Sequence, residues 1–351
     1  MNDRCSSVTT IPQFTGTCWF NALLMALLYS DKTRVFFQNN LRKLRTTSKT
    51  RRKIISMFSH ILTRHYYRVH QSTMDVFSTT LKPERILKQL HNANKQLFYF
   101  NPNTIEGHHV NLYLIQLMKY FKMNDRVLYC KSTKSSLRNL YVTLDNYERY
   151  ITMNNQFNAG YRTIYKNTGL YKRALREIVR NINYDNIDVL FVQMSDRQNR
   201  NINNIDCLPD GLILSGKISE TISLGGHTYV VDSLMLSSLR VINGNNNVPG
   251  HSIAGVTCNG KRYLYNGWIR DTQNNAMTST QQRRNADPCM LMKFDWFNNK
   301  YDFCLNTRNC NLTPVNKTKL SKMLRRVVCF NVRDSHRIYV YVKTKKNVSI
   351  R

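Results

Sequence analysis

TGTCWFNALLMALLYS, residues 15–30, contains the longest apolar run of the chain, residues 19–29. Strong helix formers with apolar residues on all sides predict a buried helix over residues 18–30. Gly16 would form the turn before it, with Thr17 as the expected N-cap, and Ser30-Asp31 either ends the helix or begins a second one. The run is too short to cross a bilayer, so no membrane span is expected.

Cys18 lies in the first turn of this predicted helix, where unpaired backbone N–H groups and the helix dipole favour negative charge. This position is expected to lower the pKa of the thiol and so produce the nucleophilic thiolate. The N–H of Cys18 can face a developing oxyanion, and Gln13, five residues earlier, can supply a second donor. The alternative is a buried structural thiol at Cys18 and a surface residue at Gln13.

GHSIAGVTCNGKRYLYNGW, residues 250–268, has the pattern of a β-hairpin. Asn259-Gly260 between two alternating apolar runs is the strongest short hairpin signal, and a two-residue turn pairs Cys258 with Lys261. The same register places Asn266 diagonally across from His251 on one face of the sheet.

This register gives His251 a partner that can orient it. The amide oxygen of Asn266 can accept from one imidazole nitrogen, which leaves the other nitrogen to take a thiol proton. Trp268, opposite His251, could shield the pair from water. Asp271 is the alternative orienting residue, although a continued strand would point it to the other face.

Other histidines are alternative candidates for the base, and His251 could itself be an ordinary strand histidine. His227 also follows glycine and enters a strand, with Asp232 near in sequence. His108 and His109 resemble a loop and have no assigned role.

Hydrophobic spacing predicts further helices over residues 51–68, 84–98 and 110–122 and a buried strand over 187–195. The C-terminal half is rich in strand patterns, at residues 227–236, 252–258, 261–268, 289–297 and 336–344. We therefore predict an α+β fold that forms one two-lobed domain over residues 1–351, with a helical lobe at 1–185 and a β-rich lobe at 186–351.

The charge of the chain is unusual, with 52 Lys and Arg against 21 Asp and Glu and a formal net charge of +31. This excess indicates contact with nucleic acid, an anionic surface or an acidic protein, or else a generally basic proteome. Residues 32–74 contain 11 Lys and Arg and no acid. Their apolar stripe, formed by Ile54, Ile55, Phe58, Ile61 and Leu62, either faces the core below a solvated charged face or accompanies a nucleic-acid or membrane surface.

Nine cysteines are scattered without regular spacing. An odd number in a chain of this length indicates free thiols in a reducing compartment. There is no CxxC pair, so a thiolate zinc site is not expected. The N-terminal residues lack the apolar run of a secretory signal, which favours an intracellular protein.

These motifs resemble a known family. Gln13, the CWFN segment from Cys18, Gly250-His251 and the YNGW segment at 265–268 are similar to the papain-like cysteine peptidases, in the same chain order. The CWFN helix and the GH strand also resemble ubiquitin-specific proteases. Residues 15–24 and 250–268 most resemble the deubiquitinase-like cysteine peptidases of large nucleocytoplasmic DNA viruses, although Gln13 is one residue closer to the cysteine than in papain.

The resemblance implies a papain-like fold with Cys18 as nucleophile, His251 as general base, Asn266 as its orienting residue and Gln13 in the oxyanion hole. It implies acyl transfer through a thioester, with no metal or cofactor. The implied substrate is a protein, either a ubiquitin or ubiquitin-like conjugate or a viral polyprotein, in the host cytoplasm and the virion. Two alternatives stay open: a basic structural or nucleic-acid-associated virion protein with an inactive peptidase-like fold, and amidase or transglutaminase chemistry at the same residues.

Overall fold

The computed structural model describes residues 5, 8, 10–64, 76, 79–95, 97–98, 110–132, 183–194, 204–207, 212–215, 218–238, 250–269, 288–298, 302–306, 310, 312–314, 327–332 and 335–344. The described helices and strands confirm an α+β architecture. The chain forms two compact units. Unit 1 comprises Met1–Gln116 and Asp232–Arg337, and unit 2 comprises Leu117–Val231 and Ile338–Arg351. The papain-like lobes at 1–185 and 186–351 stay a prediction.

Five helices have described bounds. They are α1 (Cys18–Leu28), α2 (Asp31–Lys43), α3 (Lys49–Arg64), α4 (Pro83–Ala93) and α5 (Val110–Tyr120). Four of them confirm the helices predicted from hydrophobic spacing. α1, α4 and α5 end before the predicted bounds, and residues 65–68 of the prediction for α3 lie outside the described residues. The fifth, α2, settles the alternative at the end of α1, because a second helix begins directly at Asp31 with Ser30 at its N-cap position.

The strands follow the helices along the chain. They are β1 (Val127–Ser132), β2 (Val189–Met194), β3 (Asn204–Cys207), β4 (Leu212–Ser215), β5 (Thr221–Leu224), β6 (His227–Ser237), β7 (Ser252–Cys258), β8 (Lys261–Tyr265), β9 (Met292–Lys293), β10 (Phe303–Asn306), β11 (Leu312–Pro314), β12 (Val327–Phe330) and β13 (Arg337–Lys343).

Unit 1 is built around α1 and an antiparallel sheet. Every residue of α1 is buried, as the apolar pattern predicts, and the helix packs on β7 and on α2. The last part of β6 pairs with β7, which pairs with β8 and then β9, while β11, β10 and β12 form a second sheet. In α3, Ile54, Phe58 and Ile61 are buried, so the predicted apolar stripe of this helix faces the core.

Unit 2 is built around hydrogen-bonded strands. Its strand order is β4-β3-β1-β2-β13, followed by the first residues of β6, with β5 also paired to β6. Strands β1 and β2 are parallel, and all six residues of β2 are buried, which confirms the predicted buried strand. Arg126 forms an ion pair with Asp188 just before β2.

The strand predicted over residues 289–297 is wrong in its extent, because only β9 forms there. The chain turns at Asp295, whose carboxylate accepts the backbone N–H groups of Phe297 and Asn298, both at 3.2 Å. A side chain that satisfies two backbone donors locally competes with strand pairing.

The expectation of free thiols is also wrong for most of the chain. Three disulfides join Cys5 to Cys258, Cys289 to Cys310 and Cys304 to Cys329. Cys130 is disulfide-bonded as well, and Cys18 is the free cysteine among those described. Cys5 and Cys258 are 253 residues apart, so local spacing carries no signal for the pair. The reducing compartment stays a prediction.

None of the helices in the described part of the chain combines the length and apolar character needed to cross a membrane.

Candidate active site

The start of α1 places Cys18 beside backbone N–H donors. The N–H groups of Phe20 and Asn21 donate to the carbonyl of Thr17 at 3.0 and 2.9 Å. Thr17 occupies the N-cap position as predicted, but its side chain makes no capping hydrogen bond. The backbone N–H groups of Cys18 and Trp19 therefore face the Cys18 thiol, where they stabilise negative charge.

Burial of Cys18 opposes the effect of these donors on the thiol pKa. The Cys18 side chain is only 8% exposed. Desolvation raises the pKa of its thiol above 9.0, although hydrogen bonds from the backbone and side chain of Ser252 and from the Trp19 and Cys18 N–H groups lower it in part. The expectation of a lowered thiol pKa is wrong, because removing the thiolate from water outweighs the helix N-terminus.

The predicted hairpin register is confirmed. Cys258 pairs with Lys261 and Ala254 with Tyr265 across β7 and β8. Asn259 and Gly260 have φ values of 50° and 72°, the left-handed conformation that a type I′ turn requires at both positions.

This register brings His251 and Asn266 together. His251 Nε2 lies 2.9 Å from Asn266 Oδ1, and both side chains are buried. An amide oxygen can only accept, so Nε2 carries the proton and Nδ1 has the free lone pair of a base. The side chain of Asn266 is held in turn by the N–H of Trp268, which donates to the same oxygen at 3.2 Å.

Aromatic rings enclose the imidazole. The Trp268 indole stacks on it with centroids 4.3 Å apart and 13° between planes, and Phe330 approaches edge-on at 6.2 Å. Desolvation lowers the pKa of His251 to about 4, and the hydrogen bond with Asn266 opposes this shift only in part. The shielding role predicted for Trp268 fits this geometry.

Cys18 contacts Ser252, the first residue of β7 and the neighbour of His251. Among the hydrogen bonds that lower the thiol pKa, the largest contribution comes from the backbone of Ser252. Among the described residues, the polar side-chain contact of the imidazole is with Asn266 rather than with the thiol. The structure thus brings Cys18, His251 and Asn266 into one region of unit 1, with thiol and imidazole not yet hydrogen-bonded. Sequence reasoning missed Ser252, whose position beside the predicted base was the available signal.

Gln13 lies beside the same residues. Its backbone N–H donates to the Gly267 carbonyl at 2.6 Å, and its Cβ lies 3.2 Å from where a Cβ on Gly267 would be. Gln13 Oε1 is buried and has no hydrogen-bond partner among the described residues. Rotation of the terminal amide exchanges this oxygen for the NH₂ group, so the same position can hold a donor.

Two hydrogen bonds fix the segment that precedes Gln13. The Tyr265 hydroxyl donates to the Ile11 carbonyl at 2.6 Å, and Asn21 Nδ2 donates to the Pro12 carbonyl at 3.3 Å. The first hydrogen bond comes from the last residue of β8, next to Asn266, and the second comes from α1, which carries Cys18, so both hold the backbone just before Gln13.

The junction between α1 and α2 ties the cysteine helix to the histidine strand. The Ser30 hydroxyl donates to the Asp232 carbonyl at 2.5 Å and accepts the Thr257 N–H at 2.8 Å. The Asp31 carboxylate accepts the N–H groups of Asn259 and Gly260 at 3.1 and 3.0 Å. These long-range contacts fix where α1 sits on the hairpin.

The alternative candidates for the base and its orienting residue either have other contacts or lie outside the described residues. His227 Nε2 contacts Asp185 Oδ1 at 2.7 Å, and Asp185 is 81% exposed. Asp232 accepts the N–H groups of Lys32 and Thr33 at 3.0 and 2.8 Å, so it caps α2 rather than orienting His227. His108, His109 and Asp271 lie outside the described residues.

No group of three or more His, Cys, Asp or Glu side chains within the described ranges could hold a metal ion.

Comparison with known proteins gives a loose structural likeness. Neither a protein-family model nor a curated protein matches the chain. Among solved structures, the SAGA deubiquitinase module Ubp8/Sgf11/Sus1/Sgf73 bound to monoubiquitin is similar with a TM-score of 0.43 and 8% identity, over 99% of this chain and 71% of that chain. An essential yeast splicing factor is similar with a TM-score of 0.40 and 9% identity, over 97% and 70%. A likeness this loose does not establish the family or the activity of the chain, and the viral resemblance stays a prediction.

Proposed function

We propose that this protein is a cysteine peptidase that cleaves peptide or isopeptide bonds through a thioester. The observation that carries the proposal is the buried His251–Asn266 hydrogen bond of 2.9 Å next to the strand residue that contacts Cys18. A histidine held in one tautomer beside a cysteine at a helix N-terminus is the arrangement that thiol acyl transfer requires.

The steps follow from the atoms present. His251 Nδ1 accepts the Cys18 proton, and the sulfur attacks the substrate carbonyl carbon. The oxyanion accepts from the Cys18 N–H and, after its amide rotates, from the Gln13 NH₂ group. The imidazolium returns its proton to the leaving amine, which departs as the thioester forms. Water, deprotonated by His251, then attacks the thioester carbonyl carbon. The S–C bond breaks, the carboxylic acid product leaves, and the imidazolium returns its proton to the Cys18 thiolate.

The substrate class rests on the motifs. Because the CWFN helix and the GH strand resemble ubiquitin-specific proteases, the proposed substrate is a ubiquitin or ubiquitin-like conjugate, with a viral polyprotein as the alternative. The proposed location is the host cytoplasm and the virion.

A second candidate is an inactive peptidase-like fold in a basic virion protein. One observation favours it: the pKa of Cys18 is raised and that of His251 is lowered to about 4, so both groups are uncharged at neutral pH. Activity then depends on whether substrate binding brings the thiol to Nδ1.

The test is covalent labelling by a ubiquitin carrying an electrophile at its C-terminus, read by intact mass. The wild type is expected to form one adduct, Cys18→Ala and His251→Ala none, and His227→Ala the wild-type amount. Labelling of Cys18 by iodoacetamide without a ubiquitin adduct would keep the peptidase and reject the ubiquitin substrate. If Cys18 reacts with neither reagent, the inactive fold is the better account.

A further inference from the structure

A cluster of exposed cations lies where α2 ends and α3 begins. It consists of six side chains within residues 42–53, which we name the α2–α3 basic patch: Arg42, Lys43, Arg45, Lys49, Arg52 and Lys53. The two helices pack on each other and are joined by residues 44–48 alone, so the cluster is compact in space as well as in sequence.

The acidic side chains that the structure describes form no ion pair with this patch. Asp31 and Glu84 are the acids in the described part of residues 10–98. Asp31 binds the hairpin turn, and Glu84 accepts the Thr15 hydroxyl at 2.5 Å. Ion pairs described elsewhere in the chain, such as Arg126 with Asp188, His227 with Asp185 and Arg262 with Asp295, do not involve the patch.

The patch opposes the stability of its own helix. α3 has no acid in its first turn, where acidic residues are favoured, and has Lys49, Arg52 and Lys53 there or directly after it. The Ser48 hydroxyl accepts the Arg51 N–H at 3.3 Å, so the end is otherwise capped normally. Cations at the positive end of a helix dipole disfavour the helix, and a bound polyanion would offset that effect.

The surroundings of the patch select the kind of polyanion. No large apolar side chain in residues 42–53 is exposed, whereas protein interfaces depend on aromatic and apolar anchors. Its exposed neighbours are the hydroxyl residues Thr47, Ser48 and Thr50, which like Lys and Arg donate to phosphate oxygens. Single-strand binding typically uses aromatic stacking, and residues 42–53 contain no aromatic residue.

We propose that the α2–α3 basic patch binds the phosphate backbone of duplex DNA without sequence specificity. This interaction is independent of Cys18, so failure of the peptidase proposal leaves it standing.

The test is fluorescence anisotropy with a labelled random-sequence duplex at increasing salt concentration. The patch variant is Arg45→Gln/Lys49→Gln/Arg52→Gln/Lys53→Gln. Its control removes four exposed cations elsewhere, Arg85→Gln/Lys88→Gln/Lys261→Gln/Lys293→Gln. Each phosphate contact contributes about 0.9 to the slope of log affinity against log salt concentration, so the patch variant should lose about 3 to 4 units of slope and at least about tenfold in affinity. The control should keep most of both, and Cys18→Ala should bind like the wild type.

Several results would overturn the proposal. They are no binding by the wild type, equal losses in the two four-residue variants, tighter binding to a single strand of equal length, or displacement of the duplex by polyglutamate at the same charge concentration, which would indicate an acidic protein partner. Thermal unfolding checks the fold, and the patch variant should unfold no earlier than the wild type. If it does unfold earlier, Lys49→Gln/Arg52→Gln replaces it, with an expected loss of about half as much slope.

Discussion

Cys18 and His251 are both buried in their uncharged forms, and this decides how the candidate site would work. The pKa of the thiol is raised, and that of the imidazole is lowered to about 4, in both cases mainly by desolvation. A preformed thiolate–imidazolium pair is therefore disfavoured at neutral pH. The nucleophile would form by proton transfer to Nδ1 when substrate binds.

Substitutions of Asn266 test whether this residue orients the His251 imidazole. Asn266→Ala removes the acceptor on Nε2 and should slow labelling of Cys18 by the ubiquitin probe about 10²-fold, at the lower end of acid–base effects. Asn266→Asp keeps an acceptor and should restore much of the rate. The negative charge of the new aspartate raises the pKa of His251. As the pH is lowered, the labelling rate of this variant should therefore begin to fall at a higher pH than that of the wild type. Equal rates for both variants, or an unmoved pH profile in Asn266→Asp, would contradict an orienting role.

His251 should also make the stability of the protein depend on pH. An unfolded chain protonates this ring near pH 6.5, while the buried ring stays neutral until about pH 4. Within this window the unfolded state binds more protons, so the free energy of unfolding falls as the pH falls. The full shift corresponds to roughly 3 kcal/mol at about 1.4 kcal/mol per pKa unit.

Urea unfolding across this pH window measures the effect. His251→Gln should flatten the dependence, while the matched variant His227→Gln should keep it, because the buried His251 is still present. Identical pH slopes in wild type and His251→Gln would show that His251 titrates normally in the folded state.

At the scale of the element, β7 has a packing requirement as well as a chemical one. A Cβ on Gly255 would lie 2.7 Å from ring atoms of Trp296, whose Nε1–H donates to the Val256 carbonyl at 3.3 Å. Gly255→Ala should therefore destabilise the protein by about 1 to 3 kcal/mol through overpacking. Gly250→Ala is the matched control, since nothing lies within 4 Å of its added Cβ. Urea midpoints that fall equally in both variants would contradict this packing argument.

The elements that could be predicted are those specified by nearby residues. The hairpin register follows from Asn259-Gly260 and the alternation around it, and α1 follows from its continuous apolar run. The position of α1 on β7 could not be predicted, because it depends on Ser30 bonding to strands more than 200 residues away. The prediction of a lowered pKa for the Cys18 thiol was wrong for the same reason, since the burial of Cys18 depends on distant chain segments.

At the scale of the whole molecule, disulfides join distant parts of unit 1. Cys5–Cys258 closes a loop of 253 residues and fixes the N-terminal segment to the end of β7. A cross-link over such a loop removes several kcal/mol of unfolded-chain entropy in the loop-closure model, about 5 kcal/mol at the upper end. Cys5 and Cys258 gave no sign of this pairing in the sequence, because only the folded chain brings them together.

The Cys289–Cys310 disulfide lies next to the candidate base. The Cys289 N–H donates to the Trp268 carbonyl at 2.9 Å, its carbonyl accepts the Thr10 hydroxyl at 2.8 Å, and Asn266 Nδ2 lies 3.9 Å from its sulfur. Reducing this disulfide would release Cys289, which contacts both Trp268 and Asn266. The nucleophile Cys18, in contrast, must itself be reduced to react.

Labelling of Cys18 by the probe should therefore rise and then fall as the concentration of dithiothreitol increases. Low concentrations return any oxidised Cys18 to the thiol, while higher ones reduce the disulfides, each dithiothreitol giving two electrons and becoming a cyclic disulfide. Cys289→Ala/Cys310→Ala should label more slowly than the wild type without reductant. After alkylation, intact mass counts the reduced bonds at each concentration and peptide mapping identifies the alkylated cysteines. Full labelling of Cys18 at a dithiothreitol concentration where Cys289 and Cys310 are both alkylated would contradict this prediction. Asn266 would then hold His251 without the disulfide.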